Sequence, residues 1–332
     1  PTEERHILVE KGDATYQFGI DYLRDVWYST SYLLDRKQSM NGCAKKRFEN
    51  YKKQPLEFVF DKSFTGKLSQ FGLNPDRRTP TGIKAAIIRE KGTNGEREMA
   101  YMLYLAGFDV KDVTMTDLVS GRETLEDINF IVFCGGFSNS DVLGSAKGWA
   151  GAFLFNPKAK AALDNFYARK DTLSLGVCNG CQLMIELNLI NPDFTKKAKM
   201  LHNDSHKFES KFVGVTVPMN RSVMFGSLSG SKLGIWVAHG EGKFSLPYHE
   251  DKYNVVLKYS YDEYPGNPNG SDYSVAGLAS PDGRHLAMMP HLERSCFPWQ
   301  NAYYPSDRIN KDQVTPWIEA FVNARKWVEM NK

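Results

Sequence analysis

Apolar and polar positions follow one pattern up to about residue 80 and a different one after it. Between residues 23 and 34 one helical face is mainly apolar, formed by Leu23, Val26, Trp27, Thr30, Leu33 and Leu34. A strongly basic stretch with helical spacing comes next, and a segment rich in Gly, Pro, Ser and charge, typical of a linker, follows it. This part has too little apolar material for a core of its own, so we expect it to pack against another structure.

From residue 83 onward, short apolar runs alternate with amphipathic segments. The runs IKAAIIR, DVKDVTM, INFIVFC and TLSLGV suit buried parallel strands, whereas NGEREMAYMLYLAGF, AKAALDNFYARK and GCQLMIELN suit helices. Beyond residue 195 further runs indicate a β-rich section, and Thr315 with Pro316 forms the predicted start of a closing helix. The pattern predicts an α/β fold with a mainly parallel central sheet flanked by helices, a β-rich section and an N-terminal extension.

Composition and charge argue against several classes of protein. The 332 residues include 42 basic and 39 acidic side chains, and the net charge of +3 favours neither nucleic acid nor a membrane surface as partner. No apolar run approaches the roughly 20 residues that span a bilayer, and no signal-peptide pattern is recognisable. Five scattered cysteines do not resemble a secreted disulfide framework, which predicts a cytosolic protein with reduced thiols.

The segment GVCNG, residues 176–180, carries the strongest chemical signal. It follows an apolar strand, precedes a helical pattern and has the Gly-x-Cys-x-Gly form of a nucleophile elbow. Small residues are needed on both sides because the strand turns sharply into the helix. The turn exposes the cysteine at the helix N-terminus, where a thiolate is favoured. We therefore interpret Cys178 as a nucleophile and expect Cys181, in the first helical turn, to face the core.

Cys178 and Cys181 also permit a Cys-x-x-Cys redox pair or half of a zinc site. A redox motif does not require glycines on both sides of its first cysteine. Zinc needs two more ligands, and Cys43, Cys134 and Cys296 lack partners at suitable spacing. Two cysteines that merely pack in the core are the plainest alternative.

A cysteine nucleophile needs a base, and the base needs an acid that orients it. Two histidines stand two positions before an acid, just after predicted strands: His239 with Glu241, and His291 with Glu293. Either pair suits the carboxyl end of a sheet, where open α/β folds place their sites. The residues alone do not choose between them.

The other histidines carry weaker signals. His202 and His206 have the spacing of a metal-binding pair but lack a helical, acidic context, so we expect no metal site there. His285 is interpreted as a surface or turn residue.

An acyl-transfer transition state also needs N–H donors for its oxyanion. The elbow offers the N–H of Asn179. Gly135-Gly136-Phe137, at the end of a neighbouring predicted strand, offers a second donor, since glycine lets the backbone approach a substrate closely. An ordinary tight turn explains the two glycines equally well.

Four segments together resemble a specific family: GVCNGCQ, CGGFSNSDVLGSAKGWA, HGEGKF and MPHLER. They are similar to the glutaminase domain of the large, single-chain phosphoribosylformylglycinamidine synthases, which are class I glutamine amidotransferases with a flavodoxin-like fold. The segment LRDVWYSTSYLLDRKQS resembles the tail of the synthetase domain that precedes the glutaminase in that family. The resemblance implies that residues 1–80 are this tail with a linker, that residues 81–332 are the glutaminase domain, and that the chain is part of a longer enzyme.

The resemblance implies a role for each site residue, by position. Cys178 is the nucleophile, His291 the general base and Glu293 the acid that orients it. Gly136 and Asn179 correspond to the oxyanion hole, and Gln182 and Ser138 to positions that help to hold glutamine. His239 and Glu241 then line the site or face the synthetase. Two departures concern loop shape: Leu292 replaces a common Pro, and Asn139-Ser140 replace an aromatic residue and Gly.

The implied activity is a glutamine-hydrolysing ligase reaction in purine biosynthesis. The glutaminase releases ammonia through a cysteine thioester. Synthetase domains of the same polypeptide then use ATP and Mg to convert formylglycinamide ribonucleotide to formylglycinamidine ribonucleotide. Glutamine and those domains are the expected partners, with no cofactor or metal in this chain and neither nucleic acid nor membrane involved.

Replacement of Cys181 separates the nucleophile hypothesis from the redox and zinc hypotheses. Cys181→Ser removes a redox partner or a metal ligand, but it leaves the Cys178 nucleophile in place. We expect the variant to retain glutamine hydrolysis, measured as glutamate released, whereas Cys178→Ser abolishes it. Loss of function in both variants to the same extent would favour a paired-cysteine site.

Overall fold

The computed structural model describes residues 4–332, which form fifteen strands and eight α-helices. The strands are β1 (His6–Lys11), β2 (Ala14–Gly19), β3 (Lys84–Arg89), β4 (Thr93–Asn94), β5 (Asp109–Thr114), β6 (Phe130–Phe133), β7 (Gly135–Gly136), β8 (Leu173–Val177), β9 (Lys199–Leu201), β10 (Glu209–Thr216), β11 (Lys232–His239), β12 (Lys243–Ser245), β13 (Asn254–Tyr259), β14 (Val275–Ala279) and β15 (His285–Met288). The helices are α1 (Ile20–Gln38), α2 (Cys43–Asn50), α3 (Glu96–Ala106), α4 (Met115–Ser120), α5 (Lys147–Leu154), α6 (Pro157–Ala168), α7 (Asn179–Glu186) and α8 (Ile318–Asn331).

Nine strands form one central sheet, in the order β11-β10-β13-β14-β15-β8-β6-β3-β5. The five strands from β15 to β5 are parallel, and the other four extend the sheet with antiparallel pairs. Every residue of β6 and β8 is buried, as expected for parallel strands covered on both faces. The predicted α/β class is confirmed, and the β-rich section adds its strands to the same sheet.

Strand register brings three chain segments together at one edge of the sheet. Phe133 pairs with Gly176 and Met288 pairs with Val177, so β6, β8 and β15 end side by side. The residues that follow each strand therefore meet although they are far apart in sequence. Helix α7 leaves from this edge, directly after β8.

The N-terminal extension packs on the rest of the chain only in part. Cys43 and Ala44 of α2 are 2% exposed, and Phe64, farther along, belongs to the main core. The apolar face of α1, in contrast, is open: Trp27 is 79% exposed, and Leu23, Val26, Leu33 and Leu34 are exposed too. The expected packing holds for α2 and residues 55–73. The apolar face of α1, however, is not covered by any of residues 4–332. The boundary between residues 80 and 81 stays a prediction.

Two local predictions are wrong for physical reasons. Thr315 does not cap the last helix, because its hydroxyl donates to the carbonyl of Ser295 at 2.7 Å and α8 begins only at Ile318. His285 is not at the surface: it is 5% exposed, and its ring lies 4.5 Å from that of Tyr167. Burial, then the nearby Arg284 charge, lowers the pKa of His285 to about 4.

Within residues 4–332, no helix combines the length and the apolar character that crossing a membrane requires.

Candidate active site

Cys178 occupies the sharp turn between β8 and α7. Its backbone has φ 53° and ψ −106°, a conformation that is strained for a residue with a side chain, and its N–H donates to the Met288 carbonyl at 2.9 Å. The flanking glycines are required by space. A Cβ at Gly176 would lie 2.5 Å from the Gly180 carbonyl oxygen, and one at Gly180 would lie 2.0 Å from that of Phe133. The elbow predicted from the sequence is present.

His291 and Glu293 form a buried pair beside the elbow. Nδ1 of His291 donates to Oε1 of Glu293 at 2.7 Å, and the two residues are 1% and 2% exposed. The His291 N–H donates to the Trp236 carbonyl at 2.8 Å, which fixes the backbone of the pair. Burial lowers the pKa of His291, but the negative charges of Glu293 and the Cys178 thiolate outweigh it and raise the pKa to about 9.

Gly135 provides the surface on which the side chains of Cys178 and His291 meet. A Cβ placed there would be 2.9 Å from Cε1 of His291 and 3.4 Å from Cβ of Cys178. The imidazole and the thiol-bearing side chain therefore both lie against the same α-carbon. The Cys178 thiol also donates to the carbonyl of Ala238 at 3.6 Å.

His239 lies near the elbow but in a different chemical state. It is 2% exposed, and neither ring nitrogen has a hydrogen-bond partner among residues 4–332. Burial and then the charge on His291 lower the pKa of His239 to about 3, so its imidazole is neutral at physiological pH. Of the two candidate pairs, only His291 has its carboxylate within hydrogen-bond distance.

The turn after β3 packs against the Gly135–Gly136 loop and fixes its position. Strand β7 pairs with β4, and a Cβ at Gly136, whose φ is 118°, would lie 2.6 Å from the Gly92 carbonyl oxygen. The N–H of Phe137 donates to that same oxygen at 2.8 Å and is therefore not free to bind a substrate. The geometry thus requires glycine at position 136.

A chain of side-chain hydrogen bonds connects this loop to α7 and to the segment after β11. Oδ1 of Asn179 accepts from the N–H of Ser138 at 3.0 Å, and Nδ2 of Asn179 donates to Oε1 of Gln182 at 2.9 Å. Nε2 of Gln182 donates to the Glu241 carbonyl at 2.7 Å. Asn179 and Ser138 are buried behind the cavity wall, whereas Gln182 belongs to the wall itself.

A cavity of about 230 Å³ opens directly onto Cys178. It is lined by Gly136, Phe137, Asp141, Ser145, Cys178, Gln182, His202, His206, Lys207, Phe208, Ala238, His239, Gly240 and Glu241. Sequence analysis missed the contribution of Asp141 and Ser145 and of residues 202–208, because nothing local marks a loop as a cavity wall. The only available signal was the cluster of polar residues in the segment HNDSHKF.

Acidic and basic side chains both line the cavity. Oε2 of Glu241 accepts from the N–H of Ser145 at 3.3 Å, while burial and then the nearby Glu241 charge raise the pKa of Asp141. Lys207 and His202 line the same cavity, and Nδ1 of His202 is 3.8 Å from Oε1 of Glu241. Opposite charges are thus available to a small molecule that carries both.

The remaining cysteines and histidines do not form a second chemical centre. Cys181 is fully buried in the core, as predicted, and burial raises the pKa of its thiol well above the usual value. Within residues 4–332, no three His, Cys, Asp or Glu side chains are arranged to hold a metal, and the five cysteines are unpaired. The redox and zinc alternatives are not supported.

The two departures from the family pattern lie next to the site. Asn139 and Ser140 have φ values of 52° and 57°, in the left-handed region that glycine adopts more easily. Serine at position 140 therefore adds backbone strain to this loop. Leu292 is fully buried between the two residues of the His291–Glu293 pair.

Gly135→Ala is expected to displace the His291 imidazole, because its methyl group would overlap Cε1 of that ring. A thiol without its base reacts more slowly, so we expect alkylation of Cys178 by iodoacetamide to slow by roughly 10- to 100-fold. Gly226→Ala is the matched control, since a Cβ at Gly226 meets no atom within 4 Å. An unchanged alkylation rate in Gly135→Ala, with folding verified by circular dichroism, would contradict this arrangement.

The raised pKa of His291 predicts how stability depends on pH. A histidine with a folded-state pKa of about 9 stabilises the protein fully below its unfolded value of about 6.5. That stabilisation is lost as the pH rises towards 9. Glu293→Gln removes the carboxylate that raises the pKa. We therefore expect the parent chain to have a larger free energy of unfolding than this variant at pH 6, and we expect the difference to shrink as the pH rises to 9.

Urea unfolding of both proteins at several pH values measures this difference. Glu186→Gln, at an exposed position of α7, is the matched control and should show no such trend. A parent-to-Glu293→Gln difference that grows with pH would show that His291 is not the charged partner.

Comparison with known proteins places this site in a family. Residues 82–328 match the family described as the CobB/CobQ-like glutamine amidotransferase domain. The probable phosphoribosylformylglycinamidine synthase, chloroplastic/mitochondrial, of Arabidopsis thaliana is 40% identical over 93% of this chain and 23% of its own length. The Homo sapiens phosphoribosylformylglycinamidine synthase is 40% identical over 92% of this chain and 24% of its own length. The chain thus spans about a quarter of each of these relatives.

A solved structure supports the same assignment. The structure of PurLQS from Thermotoga maritima is 28% identical, has a TM-score of 0.56, and covers 74% of this chain and 98% of that chain. The family match includes every strand of the central sheet and all the candidate site residues. The resemblance found in the sequence is confirmed: the chain belongs to the CobB/CobQ-like glutamine amidotransferase domain family.

Proposed function

We propose that this chain hydrolyses glutamine to glutamate and ammonia, with Cys178 as nucleophile, His291 as base and Glu293 as the residue that orients the base. The observation that carries the proposal is the placement of the elbow cysteine and a carboxylate-paired imidazole against Gly135, at the edge of a cavity. Family membership supports the same chemistry.

In the first half of the proposed reaction, the Cys178 thiolate attacks the side-chain amide carbon of glutamine. The N–H groups of Asn179 and Gly136 hold the oxyanion of the tetrahedral intermediate, and His291 protonates the departing ammonia. The product is a γ-glutamyl thioester on Cys178. Water, deprotonated by the same imidazole, then attacks the thioester; glutamate leaves, and the thiolate is restored.

The charge distribution in the cavity favours glutamine among amides. Its α-ammonium group suits the carboxylates of Asp141 and Glu241, and its α-carboxylate suits the ammonium group of Lys207. Gln182 supports this arrangement by fixing the Glu241 backbone at 2.7 Å. His239 is assigned to the cavity wall, since a neutral imidazole without a carboxylate partner is a poor proton carrier here.

We further propose that the ammonia serves an ATP-dependent conversion of formylglycinamide ribonucleotide to formylglycinamidine ribonucleotide, carried out by synthetase domains of a longer polypeptide. Phosphoribosylformylglycinamidine synthase is the name of the relatives, of which this chain spans 23–24%. The sequence has no Gly-x-x-x-x-Gly-Lys-Ser/Thr segment, so we assign ATP and Mg to those other domains.

The open apolar face of α1 supports such a partner. Trp27 is 79% exposed, and apolar surfaces of this kind usually mark a contact with another protein part. The five unpaired cysteines support the cytosolic location expected from the sequence.

Labelling with a diazo-ketone analogue of glutamine tests the proposed site. We expect one adduct per chain, located at Cys178 by peptide mapping and blocked by excess glutamine. Cys178→Ala should lose both labelling and glutamate release, whereas Cys181→Ala, the matched control in the same helix region, should retain them. Equal labelling of Cys178 and Cys181, or labelling that glutamine does not reduce, would refute the proposal.

A further inference from the structure

One wall of the cavity is a loop that the N-terminal extension holds in place. Residues 202–208 connect β9 to β10, and four of them line the cavity. The N–H of Met40 donates to the Ser205 carbonyl at 3.0 Å, and Nδ2 of Asn41 donates to the Asp204 carbonyl at 2.8 Å. The extension lies outside the family match at residues 82–328, yet it contacts the loop directly.

Asp35 is the centre of this contact. It is the one residue of α1 that is buried, with 6% exposure. Its carboxylate accepts three hydrogen bonds: from Ser39 Oγ at 2.6 Å, from Arg47 Nη1 at 2.5 Å and from Lys207 Nζ at 3.1 Å. Burial raises the pKa of Asp35, but the Ser39 hydroxyl and the Lys207 and Arg47 charges outweigh it, so the pKa is lowered and the carboxylate is charged.

Arg47 extends the contact to the residue that follows the loop. Its Nη2 lies 3.5 Å from Oε1 of Glu209, the first residue of β10, which is 2% exposed. Glu209 is also paired with Lys211 at 2.6 Å and accepts from Ser205 Oγ at 2.5 Å. One network of charges, with Asp35 and Glu209 buried at its centre, therefore anchors the loop from Ser205 to the start of β10, and Asp35 and Arg47 belong to the extension.

Asn203 transmits the position of the loop to the opposite wall. Its Nδ2 donates to the His239 carbonyl at 2.7 Å, and its Oδ1 accepts from the N–H of Gly242 at 3.0 Å. The backbone on both sides of Glu241 is thus tied to the 202–208 loop. The catalytic residues are anchored separately, by β8 and β15, so a shift of this loop changes the shape of the cavity and leaves the nucleophile in place.

We propose that Asp35 is a positioning residue for the glutamine site: by holding Lys207 and Arg47, it fixes the 202–208 loop and thereby sets the affinity for glutamine. The proposal rests on the proposed glutaminase function. It means that a helix outside the family match supports one wall of the cavity. Any part of the polypeptide that packs on α1 is then only one helix away from the substrate.

The test compares Asp35→Asn with the parent chain of 332 residues. Loss of the charge leaves Lys207 and Arg47 without their shared carboxylate, so we expect KM for glutamine to rise roughly 10-fold while kcat stays within about twofold. Asp35→Glu keeps the charge and should recover most of the affinity. Glu49→Gln is the matched control, since Glu49 is 53% exposed and its ion pair with Lys45 is long, at 3.8 Å.

Hydrogen exchange gives a readout that does not require turnover. Backbone amides of residues 203–208 should exchange faster in Asp35→Asn than in the parent or in Glu49→Gln, whereas those of β8 and β15 should not change. Unchanged exchange in this loop overturns the proposal whether or not the chain hydrolyses glutamine. Faster exchange with an unchanged KM overturns it too, and so does a fall in kcat as large as the rise in KM. Failure of the glutaminase hypothesis appears separately, as a parent chain without glutamate release.

Discussion

The site depends on one backbone constraint, the left-handed conformation of Cys178 between β8 and α7. This conformation is possible because Gly180 packs against the carbonyl of Phe133 with no room for a side chain, and because Gly176 packs equally closely against α7. The strain is held by the fully buried strand β8, by α7, which is buried from Asn179 to Ile185, and by a hydrogen bond from Cys178 to the end of β15. A nucleophile fixed in this way needs no loop movement to reach a bound substrate.

The other groups of the candidate site are placed relative to this fixed point by the order of strands in the sheet. Strands β6 and β15 flank β8, so the segments that follow them bring Gly135 and His291 into contact with each other beside Cys178. Glu293 then neutralises a base that is almost fully excluded from water. A charged imidazole at this depth is stable only because carboxylate and thiolate lie beside it, which is also why its pKa is raised.

The cavity, in contrast, is built largely from loops, together with residues of β7, β11 and α7, and its walls depend on buried polar contacts. Asn203 joins the two walls, and Asp35 connects one of them to the N-terminal extension. Such contacts are costly to break because each would leave a buried charge or amide unpaired. The boundary of the amidotransferase family match is therefore not the boundary of the structure that shapes the site.

Sequence alone determined the fold class, the elbow and the two histidine–acid pairs, because each depends on local rules: hydrophobic period, turn sterics and spacing. The residue pattern by itself left His291 and His239 open, and only the family resemblance favoured His291, since the choice depends on which imidazole has a carboxylate within reach. It placed Thr315 as a helix cap and His285 at the surface, and tertiary hydrogen bonding and packing overruled both. Only the tertiary structure revealed residues 202–208 as a cavity wall with Asp35 behind it, because contacts across more than 160 positions leave no periodic signal in the sequence.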